Sequence, residues 1–258
     1  MNRTGLFIAL SLALVIGVVF GLYPELDLKL AALFYDPASR TFPWKQNELA
    51  QIARDGAMWL AWAIALPSIV ALIVKLVRPD RPLLISGRAA IFLVLTLTLS
   101  AGVLTNLTFK SYWGRPRPVL VAEFGGDLSF VPWWDPRGRC GRNCSFFSGE
   151  SATAFWTLAP AALAPPAWRP LAYAAATLFG LVISALRMAF GGHFFTDVTI
   201  AGLVTFLVIW LVHGLIYRWA RTRWSDGAVD AVMTRLAWPL YRARKRRRGQ
   251  EVGASPVA

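Results

Sequence analysis

The sequence predicts an all-α, polytopic membrane protein with six transmembrane helices, and three observations carry that prediction. Apolar residues make up 56% of the 258-residue chain and charged residues only 16%, against about 25% charged in soluble domains. Mean hydropathy is +0.50. Apolar runs close to the roughly 20 residues that cross a bilayer recur along the chain. This composition excludes intrinsic disorder, collagen and a disulfide-rich miniprotein. The formal net charge is +13, but ten of the 27 Lys and Arg residues lie between Arg218 and Arg248. The charge is a property of the tail; anionic lipid accounts for it, and no nucleic acid is expected as a partner.

The first span, Gly5–Leu22, contains no charge. Its apolar run is long and no small-x-small cleavage site follows, so a retained signal-anchor helix is expected. The second, Ala57–Val77, carries Pro67, where a kink is expected. The third is Ala89–Phe109. The fourth, Ser151–Ala164, is short and ends at Pro165-Pro166. The fifth is Leu171–Met188 and the sixth Val198–Tyr217. Residues 1–217 are expected to form the membrane domain and 218–258 a basic cytoplasmic tail. Within the tail, Val229, Val232, Leu236 and Leu240 fall at helical spacing and predict a short helix on the membrane surface.

Lys and Arg placement sets the orientation. Lys75–Arg88 holds four basic residues and one acid, Arg169 follows span four, and the tail holds ten basic residues and three acids. Both termini are therefore expected in the cytoplasm. Tyr23–Asp55, with four basic residues and five acids, then lies outside. Lys110–Glu150 lies outside too, yet carries six basic residues. That exception marks charges with a task.

Three polar clusters interrupt the apolar pattern. They are Lys110–Pro118 after span three, Ser145–Ser151 before span four, and Arg187–Asp197 between spans five and six. Span parity opens all three on one side. One site can thus collect Lys110, Arg115, Arg117, Ser148, Gly149, Glu150, Arg187, His193 and Asp197. Several convergent cations call for a compact, multiply charged anion: Arg forks match phosphate oxygens in pairs and Lys acts as a point charge. Ser148-Gly149 precedes a helix start, whose N–H groups face an anion well. His193 is a candidate nucleophile giving a covalent phosphoenzyme. Asp197, four residues on, can hold one ring nitrogen protonated and leave the other free. Glu150 is a candidate general acid if burial raises its pKa. Each residue taken alone also fits a structural role; their convergence favours chemistry.

These residues make the chain resemble the type 2 phosphatidic acid phosphatase family, related to vanadium haloperoxidases. The family pattern is Lys, six residues, Arg-Pro; then Pro-Ser-Gly-His; then Ser-Arg, five residues, His, three residues, Asp. Lys110 and Arg117-Pro118 match the first element, Ser148-Gly149 the second, and Arg187, His193 and Asp197 the third. The resemblance implies a helical core, a metal-independent phosphatase without cofactor, His193 as nucleophile with Asp197 as its orienter, and phosphate binding by Lys110, Arg117, Ser148, Gly149 and Arg187. Arg115 lies two residues off the family spacing and is expected to matter less. Phe147 stands for the motif's Pro and Leu186 for its Ser. Glu150 stands for the second His, the family's acid. Either Glu150 is the acid, or leaving-group protonation is weaker, or the chain is inactive.

Cys140 and Cys144 share the outer loop, and their spacing allows a disulfide in an oxidising compartment; two free thiols are the alternative. Phe130 and Trp133-Trp134 in the same loop either guide a lipid headgroup or anchor the chain at the interface. The cysteine pair and the Ser-Gly-Glu variant are similar to the bacterial lipid A phosphatase branch of the family. The implied reaction is removal of a phosphate from a lipid at the outer face of a bacterial inner membrane, through a phosphohistidine. Lipid A leads. Undecaprenyl diphosphate, phosphatidylglycerophosphate or phosphatidate remain alternatives, as does a non-catalytic phospholipid-binding protein. No obligate protein partner is evident. An anion transporter is disfavoured, because the spans hold almost no ionisable residues.

Overall fold

The chain is described by a computed structural model covering residues 1–250. Its regular elements in that range are helical, with only isolated bridges at Asp36–Thr41 and Val121–Leu128. Five helices are long and apolar enough to cross a membrane: α1 (Arg3–Leu22), α3 (Glu48–Val77), α4 (Gly87–Tyr112), α7 (Arg169–Ala189) and α8 (Phe195–Arg218). A short helix, α2 (Glu25–Ala32), lies between the first two.

Five of the six expected spans are single long helices, and the fourth segment is broken. Ser151–Ala164 is not one helix but two short ones, α5 (Gly149–Phe155) and α6 (Leu158–Leu163). Pro160 has no N–H to give Trp156, and the chain tightens there: Thr157 N–H and Oγ1 both donate to Ala154 O, and Ala159 N–H donates to Trp156 O.

The second span is longer than expected. It starts at Glu48, where Asn47 Oδ1 accepts from Ala50 N–H, and it continues through Pro67. Its first turns therefore carry Arg54 on a helix. The third span widens into π-type turns over Thr98–Phe109. Thr105, Asn106, Thr108 and Ser111 side chains donate to carbonyls five residues back, which satisfies oxygens that wide turns would leave bare. Such turns recur at functional sites, and Lys110 sits at the end of this one.

The helices divide into two compact units. The first comprises residues 1–61 and 96–210. In it α5 packs on α7 and on the second half of α4. The Phe155 ring fills the space left by Gly180 and Gly202, where any Cβ would collide with it. Trp156 is fully buried, its Nε1 donating to Thr96 Oγ1 at 3.0 Å. Phe109, Trp113, Phe146 and Phe147 form an aromatic cluster.

The second unit comprises residues 62–95 and, within the described residues, 211–250. Its last helix, α9 (Asp226–Arg247), is capped by Ser225. It is clasped by Lys75, whose Nζ donates to Asp230 at 2.9 Å and to the Pro79 and Arg81 carbonyls, and by Arg88 on Asp226. Of the apolar tail residues predicted to share a face, Val229 is buried, while Val232, Leu236 and Leu240 are exposed.

Candidate active site

The site grows from the turn that joins α7 to α8. Gly191 has φ +60°, and a side chain there would meet Phe42 and Val119. This turn delivers His193 just before α8 and Asp197 into its first turn. Asp197 is fully buried. Its Oδ2 accepts from Phe194 N–H at 2.8 Å and from Ser145 Oγ at 2.5 Å, and its Oδ1 accepts from Arg115 at 2.5 Å.

His193 is also buried. Its Nδ1 lies 2.8 Å from the Ser145 carbonyl and 3.8 Å from Asp197 Oδ2. A carbonyl only accepts, so Nδ1 carries the proton and Nε2 is left with its lone pair. Asp197, expected to hold the ring directly, instead reaches it mainly through Ser145, whose backbone holds Nδ1 and whose hydroxyl binds the carboxylate. Burial, with help from Arg187 and Arg117, pushes the His193 pKa down to about 4, although Asp197 pulls the other way. The ring is neutral at pH 7.

Cations gather around this ring. Arg117 donates from Nε to the Asn143 carbonyl at 3.0 Å and from Nη2 to Asn143 Oδ1 at 2.8 Å, and Lys110 Nζ reaches the same Oδ1 at 3.3 Å. Burial pushes the Arg117 pKa below its ordinary value. Arg187 Nε lies 3.3 Å from Glu150 Oε2, an ion pair without hydrogen-bond alignment. Gly149 lies beside Lys110: a Cβ there would be in ordinary contact with Nζ at 3.5 Å and in tight contact with Thr105 Cγ2 at 3.3 Å. Ser148 is fully buried. Its hydroxyl caps α5 by accepting from Ser151 N–H, and its own N–H donates to the Asp197 carbonyl. It ties α5 to α8 more than it offers a free donor.

Glu150 departs from the sequence expectation. Arg54 grips it with both arms, Nε to Oε2 and Nη2 to Oε1, each at 2.8 Å. Burial would raise this carboxyl, but the Arg54 fork and the charges of Arg187 and Arg54 outweigh it and hold the pKa below the ordinary value. In the resting site Glu150 is a carboxylate, not an acid.

Arg115 does not face the anion site. It lies fully buried behind Asp197, bound also to Asp27 at 2.8 Å, Thr196 Oγ1 at 2.8 Å and the Val131 carbonyl at 2.9 Å. Its guanidinium stacks over Phe194 at 4.5 Å and nears Phe130 at 5.6 Å. Phe130 thus packs edge-on against Phe194, and the Trp133 carbonyl accepts from Trp113 Nε1; Trp134 remains exposed. Phe147, at the motif's Pro position, is buried against Phe109.

Cys140 and Cys144 are joined in a disulfide, with Cα atoms 5.7 Å apart. The bridge encloses Asn143, whose φ of +52° is left-handed. Backbone bonds from Cys140 N–H to Gly114 O and from Ser145 N–H to Arg115 O pin this loop to the Lys110 cluster. Four residues of the site were not singled out from the sequence: Arg54, Asp27, Asn143 and Ser145.

The PAP2 superfamily model matches residues 89–223. The chain is 30% identical over 219 residues to a lipid A 4′-phosphatase of Francisella tularensis subsp. novicida, covering 84% of this chain and 98% of that protein. It is 29% identical over 203 residues to a lipid A 4′-phosphatase of Rhizobium leguminosarum, covering 74% and 87%. A lipid A 4′-phosphatase of Rhizobium etli is 37% identical over 112 residues, 43% of this chain and 44% of that protein. No solved structure matches the chain.

Proposed function

The chain belongs to the PAP2 superfamily, and from that premise we propose that it is a lipid A phosphatase of a bacterial inner membrane, removing the 4′-phosphate at the outer face. The observation that carries the substrate is the match to a relative of that name over 98% of its length.

In this reading Lys110, Arg117 and Arg187 hold the non-bridging phosphate oxygens. His193 Nε2 attacks phosphorus in line; a P–N bond forms and the bond to the sugar oxygen breaks. The positive charge that develops on the ring is held at Nδ1–H by the Ser145 carbonyl and by Asp197. Water then attacks phosphorus, the P–N bond breaks, and phosphate leaves with the imidazole restored. Binding of a phosphate that carries two negative charges beside Arg187 displaces the Glu150 carboxylate and raises its pKa. Glu150 then takes up the proton that it gives to the departing sugar oxygen.

The test is phosphate release by the purified protein from lipid A bearing phosphates on both sugars, with mass spectrometry of the product. Loss of the 4′-phosphate alone is expected. Release from undecaprenyl diphosphate or phosphatidate with lipid A untouched overturns the substrate.

Glu150→Gln separates acid from structural carboxylate. With a sugar alkoxide leaving group the rate should fall by about 100-fold, and the high-pH limb of the wild-type profile should disappear. With p-nitrophenyl phosphate, whose leaving group hardly needs a proton, the loss should stay within about threefold. Full activity of the variant on lipid A makes Glu150 an ion-pair partner only.

Orientation is checked by reporters. One fused after Tyr217 should read cytoplasmic, and one placed between Gly125 and Asp135 extracytoplasmic. The reverse would move the site to the cytoplasm and remove outer-leaflet lipid A as substrate.

A further inference from the structure

The segment between the first two spans contributes one side chain to the heart of the first unit. Asp27, on α2, is fully buried. Its Oδ1 accepts from Thr196 N–H at 3.0 Å, in the first turn of α8. Its Oδ2 accepts from Thr196 Oγ1 at 2.6 Å and from Arg115 Nη2 at 2.8 Å. The Thr196 hydroxyl accepts in turn from Arg115 Nη1, so its proton points to Asp27. Burial pushes the Asp27 carboxyl upward. Every partner it has is a donor, however, and a proton on Asp27 would face another proton, so it stays ionised.

The result is one buried guanidinium between two buried carboxylates. Nη1 serves Asp197 and Nη2 serves Asp27. One positive charge against two negative charges leaves the cluster with a single net negative charge. Were Asp27 neutral, Arg115 would belong to Asp197 alone and cancel it. With Asp27 ionised, part of the Arg115 charge is drawn away, and the Asp197 carboxylate retains charge toward Ser145 and His193. That is the charge the ring needs as it becomes cationic on phosphorylation, inside a region where water cannot supply it.

We propose that Asp27 is a positioning residue for phosphoryl transfer: it holds one arm of Arg115 and so keeps Asp197 available to the His193 imidazole. The inference rests on the reading of His193 as nucleophile. It gives the outer segment a task that no motif marks, because Asp27 lies far in sequence from the three polar clusters and acts through Arg115.

The test uses the full chain in detergent with Asp27→Asn, which keeps shape and removes charge. At saturating lipid A, kcat and the fraction trapped by quenching as phosphohistidine are both measured, together with KM. Turnover should fall by about 10- to 100-fold, the range for outer-shell partners that orient metal-bound imidazoles, with KM little changed. The cationic phosphorylated ring is less stabilised in the variant, whereas the neutral ring that hydrolysis restores needs no such charge, so hydrolysis is faster. Turnover per trapped phosphoenzyme should therefore rise. A merely structural Asp27 would lower turnover and trapped enzyme in the same proportion, leaving that ratio unchanged, and this result overturns the inference. So does turnover within twofold of wild type. If Asp27→Asn does not fold, Thr196→Val removes the hydroxyl clasp at constant volume. It should give the same rise in the ratio with a turnover loss of about three- to tenfold, the range of one hydrogen bond; an unchanged ratio there overturns the inference as well. Wild type that turns over without trapping any phosphohistidine overturns the nucleophile reading and the inference with it. Wild type that traps it, with an unchanged ratio in the variant, overturns the inference alone.

Discussion

His193→Ala should leave a folded protein with turnover reduced by at least about 10⁴-fold, the scale seen when a nucleophile or its base is removed from an intact binding site. The ring is the only imidazole in the three polar clusters; the other histidine, His213, lies near the end of α8. The measurement is phosphate release from lipid A, with quenching for phosphohistidine in parallel. Label should be trapped in wild type and absent in the variant. The pH dependence has a definite sign. A nucleophile must be neutral, and the His193 pKa lies near 4 instead of 6.5. kcat/KM of the free enzyme should therefore hold through pH 6 and fall only as pH approaches about 4. Activity that falls through pH 6.5 would mean a solvated ring and contradict the buried geometry. Normal turnover in His193→Ala would end the mechanism.

Much of this was legible in the sequence, for reasons that can be named. Spans one, three, five and six are uninterrupted apolar runs, and a bilayer leaves such runs no other conformation than a helix. Lys110, Arg117, Arg187, His193 and Asp197 break those runs at helix ends, where polar residues are conspicuous. The break inside span four was not foreseen, because apolarity was read as continuity. Pro160 removes a single donor, and a short segment cannot absorb that loss. Arg54 was hidden by the opposite error. Asn47-Glu48 is a helix-start signal set in polar sequence, and the helix it begins carries Arg54 to Glu150. Pairing across such a distance in sequence leaves no local trace. The same holds for Asp27. Asn143 and Ser145 act through backbone carbonyls as well as side chains, and a carbonyl role is invisible in residue type. Glu150 could be placed by motif, but its ionisation could not be. That depends on the balance between burial and the Arg54 fork, which only geometry supplies.

Arg115→Ala should be the most destabilising single change at the site, although family spacing suggested that Arg115 matters less than Arg117. Arg115 is wholly buried and bridges Asp27 and Asp197. Removing one partner of a buried ion pair costs about 3–5 kcal/mol, because the remaining charge is left without compensation. Here two carboxylates are left so, and the Phe194 ring loses the guanidinium stacked on it. The penalty approaches the whole stability of a typical domain, about 5–15 kcal/mol. The variant should be recovered poorly and melt at much lower temperature in detergent. Arg117→Ala is the contrast. Among the described residues its guanidinium is hydrogen-bonded only to Asn143, so its loss should change melting little while turnover falls steeply. The buried-charge explanation makes one further demand. Adding Asp27→Asn to Arg115→Ala removes one of the stranded carboxylates, so the double variant should be more stable than Arg115→Ala alone, and the two changes should be strongly non-additive. If the double variant melts lower still, by the sum of the two single losses, the carboxylates are not what Arg115 holds in place, and its contribution is packing around Phe194 and Phe130.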